Sequence, residues 1–398
     1  MKNKWQKSIV VYFGGLLTGL ALILYPAMGP IFTDPAQFAF TNTQFGRIFI
    51  PQIVFAILAA LSAPFFVTRF GTKKALLIGL FSLTITTATL LLSHFFIHEK
   101  AVALLIVFTG TSFLGLGFGL VITVLNPLAF KLFPKNELAS VTGLHFALGL
   151  GTAGAPLLIG ILQHSGNWWY LPLYTSLTLL SLVIFVFTQS FKELDEISDP
   201  KTQKFPLRLW GFVALIVFYG ICEGAMGSYG SVFLKSQGLS IKYASFGLAM
   251  FWSGLAFGRI SYSLLSIRFK VSWIYISAPI LLALLLFIIP MSHNVIYNIV
   301  AMALAGIFMS SIFPNTVSWA TKEFLGNSMV VSAFMVAALQ FGTGISTNFL
   351  GYLSINYSLG LLLRYIGGIA FLVFILIMIM RKYANLDNPE VKLKRFKK

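Results

Sequence analysis

Apolar residues run along this chain in stretches far longer than one face of a surface helix requires, with polar residues gathered in the short gaps between them. A helix needs about 20 residues to cross hydrocarbon. Runs of that order fall at 8–31, 45–68, 75–97, 101–130, 138–163 and 168–190. Six more follow at 208–234, 244–266, 272–291, 294–320, 329–353 and 360–380. Lipid offers no partner to a lone backbone N–H or C=O, so each run is predicted to be α-helical. The first run is too long for the core of a signal peptide, has no small-residue cleavage site and is followed by further spans. It reads as the first transmembrane helix.

One hydrophilic stretch is longer than the rest. Phe191–Pro206 carries Glu193, Asp195, Glu196 and Asp199 among lysines and divides the chain nearly in half. The expected organisation is an N-terminal six-helix bundle over 1–190, a cytoplasmic linker over 191–207, a C-terminal six-helix bundle over 208–381 and a basic cytoplasmic tail over 382–398. The halves echo each other. Gln44-Phe45-Gly46 opens a span that ends in Arg69-Phe70, and Ser245-Phe246-Gly247 opens one that ends in Arg268-Phe269. Gly151-Thr152 is followed by Gly160, and Gly342-Thr343 by Gly351 at the same interval. Two echoes in the same order support a duplicated bundle. The fold class expected is an all-α polytopic membrane protein with twelve transmembrane helices in two pseudo-symmetric bundles.

Composition agrees with the pattern. The chain is 58% apolar and 10% charged, whereas soluble chains carry about 25% charged residues. A formal charge of +17 would suit a nucleic-acid binder, but the charges are strung through the gaps between spans. They carry topology instead. With the N-terminus placed in the cytoplasm, 22 Lys and Arg fall on that side, three (Lys100, Lys235, Lys242) on the other, and three (Arg47, Arg259, Arg364) within spans. Basic residues are retained on the cytoplasmic side, so both termini are expected inside an inner (cytoplasmic) membrane. The single Cys222 excludes a disulfide framework, and no Walker loop, metal-ligand cluster or nucleophile elbow is present. Neither an enzyme nor a cofactor or metal site is expected, and the partners are a small-molecule solute, protons and the bilayer around a monomer.

The chemistry that remains is sparse. Glu223 is the one acid of the eleven Asp and Glu residues well inside a span. An acid such as Asp costs roughly 2.5–3.5 kcal/mol at the centre of an inserted helix. Glu223 should therefore face a watery cleft, where it is the candidate proton carrier. A structural partner for an arginine is the plainer account. Tyr219, a candidate solute-binding residue, shares its helical face with Gly227 and Gly230. Arg259 lies on one stripe with Trp252 and is a candidate gate or charge partner for Glu223, against the alternative of snorkelling. Arg47 and Arg364, near the ends of their spans, read as interface anchors. Asn126 beside Pro127, His145, Asn315 after Pro314, and Gln340 with Asn348 are amides and an imidazole spread over both halves. Singly such groups are interhelical glue; together they outline a central site. Trp252 and Trp319 are candidates to stack on a ring.

Twelve spans, inside termini, a central linker and repeated halves resemble the major facilitator superfamily. That superfamily's loop between helices two and three reads Gly-x-x-x-Asp-Arg-x-Gly-Arg-Lys, and the matching stretch here is Pro64-Phe-Phe-Val-Thr68-Arg69-Phe70-Gly71-Thr72-Lys73. Arg69, Gly71 and Lys73 match; Pro64 and Thr68 replace the Gly and the Asp. The resemblance makes Arg69 a gate residue, in a gate that lacks its usual acid. Leu125-Asn126-Pro127, Gly143-Leu144-His145-Phe146, Phe218-Tyr219-Gly220-Ile-Cys-Glu223, Phe251-Trp252-x-Gly254 and Ile312-Phe313-Pro314 are similar to words in the branch of fucose–proton symporters and related sugar permeases. That branch carries its proton on acids of helices one and four, whereas the first span here has no carboxylate and Ile122 occupies the fourth-helix position. The resemblance implies a secondary transporter working by alternating access. Proton-coupled symport of a sugar-like or other polar metabolite is the first expectation, with efflux of amphipathic compounds as its rival. A non-transporting receptor or scaffold lacks an extramembrane domain to signal through.

Overall fold

A computed structural model describes residues 4–133, 137–163, 165–191, 207–268, 272–324 and 328–387. Every regular element among them is helical. The first span is α1 (Lys4–Ala27), broken beside Pro26 before the short α2 (Gly29–Phe32). α3 (Asn42–Arg47) and α4 (Phe49–Phe70) form the second. α5 (Thr72–Ser93), α6 (Lys100–Leu132), α7 (Glu137–Gln163) and α8 (Tyr170–Thr188) complete the N-terminal half. The C-terminal half comprises α9 (Leu207–Ser236), α10 (Ile241–Arg268), α11 (Ser272–Ile288), α12 (Val295–Met309) with α13 (Ile312–Glu323), α14 (Ser328–Leu353) and α15 (Leu359–Asp387). The last helix thus runs past the span edge expected at 380. Residues 192–206 of the expected linker and 388–398 of the basic tail lie outside the described residues.

Local chemistry explains several boundaries. Thr41 caps α3 through its hydroxyl, which accepts from the Gln44 amide at 3.1 Å, while Gln44 Oε1 accepts from the Thr41 amide at 3.0 Å. This reciprocal box satisfies two donors that a helix start leaves open. Gly71 carries φ 84° between α4 and α5, a conformation that a Cβ disfavours. The tight turn accounts for the glycine in the Arg69-Phe70-Gly71 word. Pro127 does not break its helix: α6 continues from Lys100 to Leu132. The proline lies near the C-terminal end, where one missing N–H costs a single ladder bond.

Eleven helical segments among the described residues are long and apolar enough to cross a membrane. α10 is the twelfth by length, at 28 residues, but Lys242, Arg259 and several serines lower its apolar content. It packs against α7, α9 and α12, so protein rather than lipid meets much of its surface. Elsewhere Leu105, Phe187, Ile184 and Ile296 point outward and are exposed. Hydrocarbon is the solvent such a surface fits.

The sequence echoes fall at equivalent contacts. A side chain at Gly151 would collide with the α1 backbone at Leu16 and Leu20; one at Gly342 would collide with the α9 backbone at Val217. α1 with α7 and α9 with α14 are therefore matching pairs inside the two halves. Gly160 abuts Lys242 and Ser245 of α10, whereas Gly351 abuts Asn42 and Gly46 of α3. These are matching contacts between the halves, and small residues let both pairs of helices approach closely.

Candidate functional site

A cavity of about 60 Å³ lies between the halves, and a single water needs only about 10–15 Å³ by this kind of measure. Leu22, Ile23 and Pro26 of α1, Phe49 and Ile53 of α4 and Leu339 of α14 make its apolar walls. Its polar groups come from Gln52 of α4, Glu223 and Ser228 of α9, Trp252 of α10, and Gln340 and Thr343 of α14. Two glycines shape it. A Cβ at Gly224 would press on the Thr343 backbone, and one at Gly227 would stand 2.7 Å from Trp252 Cζ2. Their absence of side chains admits α14 on one side and the indole on the other.

Glu223 is tied to a polar network. The Tyr219 hydroxyl, one helical turn before it, donates to Glu223 Oε2 at 2.5 Å. Arg259 also acts on this tyrosine, so the phenol is coupled to both the acid and the cation. Arg259 also lies near enough to His145 of α7 to act on it electrostatically. His145 belongs to the N-terminal half and the other three to the C-terminal half, so charge is brought to the contact between α7 and α10. Arg259 Nε is buried with no hydrogen-bond partner among the described residues.

The halves are fastened together at the end remote from the chain termini. Lys235 Nζ sits 2.8 Å from Asp34 Oδ2 and donates to the Pro30 carbonyl at 2.8 Å. The Tyr229 hydroxyl donates to the Asn42 carbonyl at 2.8 Å, and the Thr43 hydroxyl donates to the Gly351 carbonyl at 2.8 Å. Phe45 packs edge-on against both Tyr229 and Phe49, with ring centroids 5.2 and 5.3 Å apart. Phe49 also lines the cavity, so this aromatic layer roofs it. Asp34 stays ionised here. Burial alone would raise its pKa, but the Lys235 and Ala36 hydrogen bonds and the Lys235 charge together bring it below the usual carboxylate value.

Of the residues singled out in the sequence, Glu223, Trp252 and Gln340 meet at the cavity, and Tyr219, Arg259 and His145 form the network beside it. Others stand apart. The Asn315 amide donates to the Ser311 carbonyl at 2.5 Å and Asn315 also bonds Tyr262. Asn348 donates to the Gly344 carbonyl at 3.0 Å, and Trp319 packs edge-on against Phe212 at 5.1 Å. Asn126 is half-buried, off the cavity wall, and its Oδ1 is unpaired among the described residues. Arg69 is exposed near the end of α4, about 25 Å along the helix from Gln52 at 1.5 Å per residue. Gln52, Ser228 and Thr343 were not among the expected site residues. The signal for Gln52 lay in the helical spacing of Phe49, Gln52, Ala56, Ala59 and Ala63, a buried stripe in which it is the one polar member.

The sequence profile of the Major Facilitator Superfamily matches residues 11–347. The chain belongs to the Major Facilitator Superfamily. No curated protein sequence matches it. Solved structures of the superfamily share its fold at low identity. The xylose transporter XylE from E. coli, in a partially occluded inward-open conformation, superposes with TM-score 0.75 at 13% identity, covering 95% of this chain and 98% of that one. A point mutant of the nucleoside transporter NupG gives 0.74 at 12% identity, over 95% and 99%. A point mutant of the E. coli fucose–proton symporter FucP gives 0.61 at 17%, over 95% and 98%. The superfamily member described here is accordingly a multi-pass membrane transporter with the two-bundle facilitator architecture, not an enzyme.

Proposed function

We propose that this transporter carries a small polar solute across the inner membrane in symport with protons, as a monomer with both termini in the cytoplasm. The observation that carries the reading is the position of Glu223. The acid lies on the wall of the cavity between the halves and is coupled through Tyr219 to Arg259. An ionised Glu223 holds Tyr219 and is balanced by Arg259 through it. Protonation cancels that attraction and frees the phenol and the guanidinium, beside the α7–α10 contact. A change of charge at Glu223 thereby biases the packing of the halves, which is what coupling a proton to alternating access requires. The sugar and nucleoside specificities in the names of XylE, NupG and FucP support a polar metabolite.

On this topology the fastened end of the molecule is the outer face, and the halves divide at the linker expected over 191–207. The apolar walls of the cavity favour a second reading, export of amphipathic compounds with Glu223 as a recognition site for cations. Proteoliposomes separate the two. Xylose, fucose and uridine are tested for accumulation under an imposed inward proton gradient, with wild type and Glu223→Gln side by side. Symport requires gradient-driven accumulation in the wild type, and loss of accumulation with exchange retained in the variant. Equal accumulation in both removes Glu223 from coupling. Altered resistance to cationic drugs on expression, with no uptake of these solutes, favours export.

A further inference from the structure

Two buried polar atoms on the cavity wall have nothing to bind among the described residues. Gln52 is 7% exposed, and its Oε1 has no hydrogen-bond partner there. Trp252 is also 7% exposed, and its Nε1–H is likewise unpaired. One is an acceptor and the other a donor that cannot accept. Both line the same cavity, Gln52 from α4 in the N-terminal half and Trp252 from α10 in the C-terminal half. The indole is seated by Gly227, whose missing side chain leaves room for its benzenoid edge. Native interiors rarely leave such atoms unsatisfied, and those that remain mark places where water or a ligand completes the set.

The charge of the wall narrows the ligand. Among the described residues Glu223 is the one ionisable side chain that lines the cavity; Arg259 stands behind Tyr219 and off the wall. An anion entering would meet a carboxylate with no cation facing it. Six apolar side chains around the polar groups add nothing for a second charge to bind. We propose that Gln52 and Trp252 are specificity-determining residues. They clamp, from opposite halves, an uncharged solute that presents a hydroxyl or amide donor to Gln52 and an acceptor to Trp252, and the site rejects the corresponding anions. A solute held this way links the halves through itself.

This inference rests on the central cavity being the transport site, as proposed above, but its test needs no gradient. Purified full-length protein in detergent is titrated by thermal shift and calorimetry with matched pairs: xylose and xylonate, uridine and uridine 5′-monophosphate, glycerol and glycerol 3-phosphate. At least one neutral member is expected to bind, with its anionic partner at least tenfold weaker. Gln52→Leu, which removes the carboxamide, and Trp252→Phe, which removes the indole N–H and leaves a smaller ring, are each expected to weaken that binding about tenfold. Binding of an anion as tightly as its neutral partner overturns the proposal. So does the absence of binding by every neutral solute, which would leave only water in the cavity, or wild-type affinity in both variants, which would show that the solute is held by other groups. The anion comparison uses wild type alone, so a variant that fails to fold does not remove the test. Failure here leaves proton coupling through Glu223 to the flux experiment, and loss of coupling there leaves this binding result intact.

Discussion

Lys235 and Asp34 form an ion pair at 2.8 Å although they belong to opposite halves of the protein. Lys235 lies in the last turn of α9, and Asp34 follows α2. Both side chains are about three-quarters covered, so the pair is worth about 1 kcal/mol, as partly solvated pairs are. Lys235→Met or Asp34→Asn is therefore expected to shift the population with this end open by about fivefold. Cysteine labelling near Gly46 and Gly351 measures it. Exchanging the two residues, Asp34→Lys with Lys235→Asp, restores part of the closure. Unchanged labelling in both single variants would show that the pair does not latch the halves.

The same pair sets a pH expectation. The Asp34 carboxyl is held below its ordinary value of 3.8, with burial opposing and the Lys235 and Ala36 hydrogen bonds and the Lys235 charge prevailing. For an acid lowered in this way, the stabilisation is fully present above the ordinary value and is lost as pH falls through the depressed one. Closure of this end should thus be flat between about pH 5 and 8 as far as this pair is concerned. Labelling of Asp34→Asn at several pH values should run parallel to wild type across that window. A pH-dependent gap between them would contradict the assignment.

Gly351 makes a close approach between the halves. A side chain there would meet the Asn42 carbonyl and the Tyr229 hydroxyl, both 2.7 Å from its first carbon, with Gly46 Cα at 3.3 Å. Overpacking of this kind costs about 1–3 kcal/mol, enough to move the conformational balance about tenfold. Gly351→Val is expected to hold the fastened end open, raising accessibility of introduced cysteines at the roof while slowing turnover. The variant should still fold, because the strain is relieved whenever the halves part. A normal turnover rate would mean that this contact never forms in the cycle.

Much of the architecture was legible because the bilayer imposes a length on each span. The twelve runs read from hydropathy coincide with helical segments to within a few residues at most ends. The glycine echoes were legible for a similar reason, since close helix contacts exclude side chains wherever they occur. The site was legible only in part. Glu223 stood out because an acid in hydrocarbon is costly, whereas Gln52 is an amide in an ordinary apolar run and carries no such penalty on its face. Asn315 shows the converse. An amide after a proline resembles a ligand contact in sequence, yet its hydrogen bonds go to Ser311 and Tyr262 within its own half. Which polar groups converge depends on helix rotation, and that is set by packing partners distant in the chain.

Tyr219 is the hinge of the proposed coupling. Its hydroxyl donates to Glu223, and Arg259 acts on the same phenol. Tyr219→Phe keeps the ring, which stacks near Phe313 at 6.1 Å, and removes only that link. Losing a hydrogen bond to a charged group costs about 1.5–3 kcal/mol. Gradient-driven uptake is expected to fall about tenfold, with equilibrium solute binding near the wild-type value. Equal losses in binding and uptake would place the phenol in solute recognition instead.

Gly227 offers the most direct control on where the solute sits. Its missing Cβ would stand 2.7 Å from Trp252 Cζ2 and 3.3 Å from Cη2, so Gly227→Ala must move the indole ring. Alanine is a better helix former than glycine by about 1 kcal/mol, which offsets part of the roughly 1–3 kcal/mol that displacing the ring costs, so the variant should still fold. Any solute that bonds Trp252 Nε1–H loses geometry when the ring shifts, so binding should weaken about fivefold or more while thermal stability falls only slightly. Trp252→Phe leaves a smaller ring in the same place. Combining it with Gly227→Ala should therefore cost less than the two single losses together, because the alanine no longer displaces a bonded donor. Additive losses would mean that the glycine and the indole act on the cavity independently, and that its shape rather than the N–H governs binding.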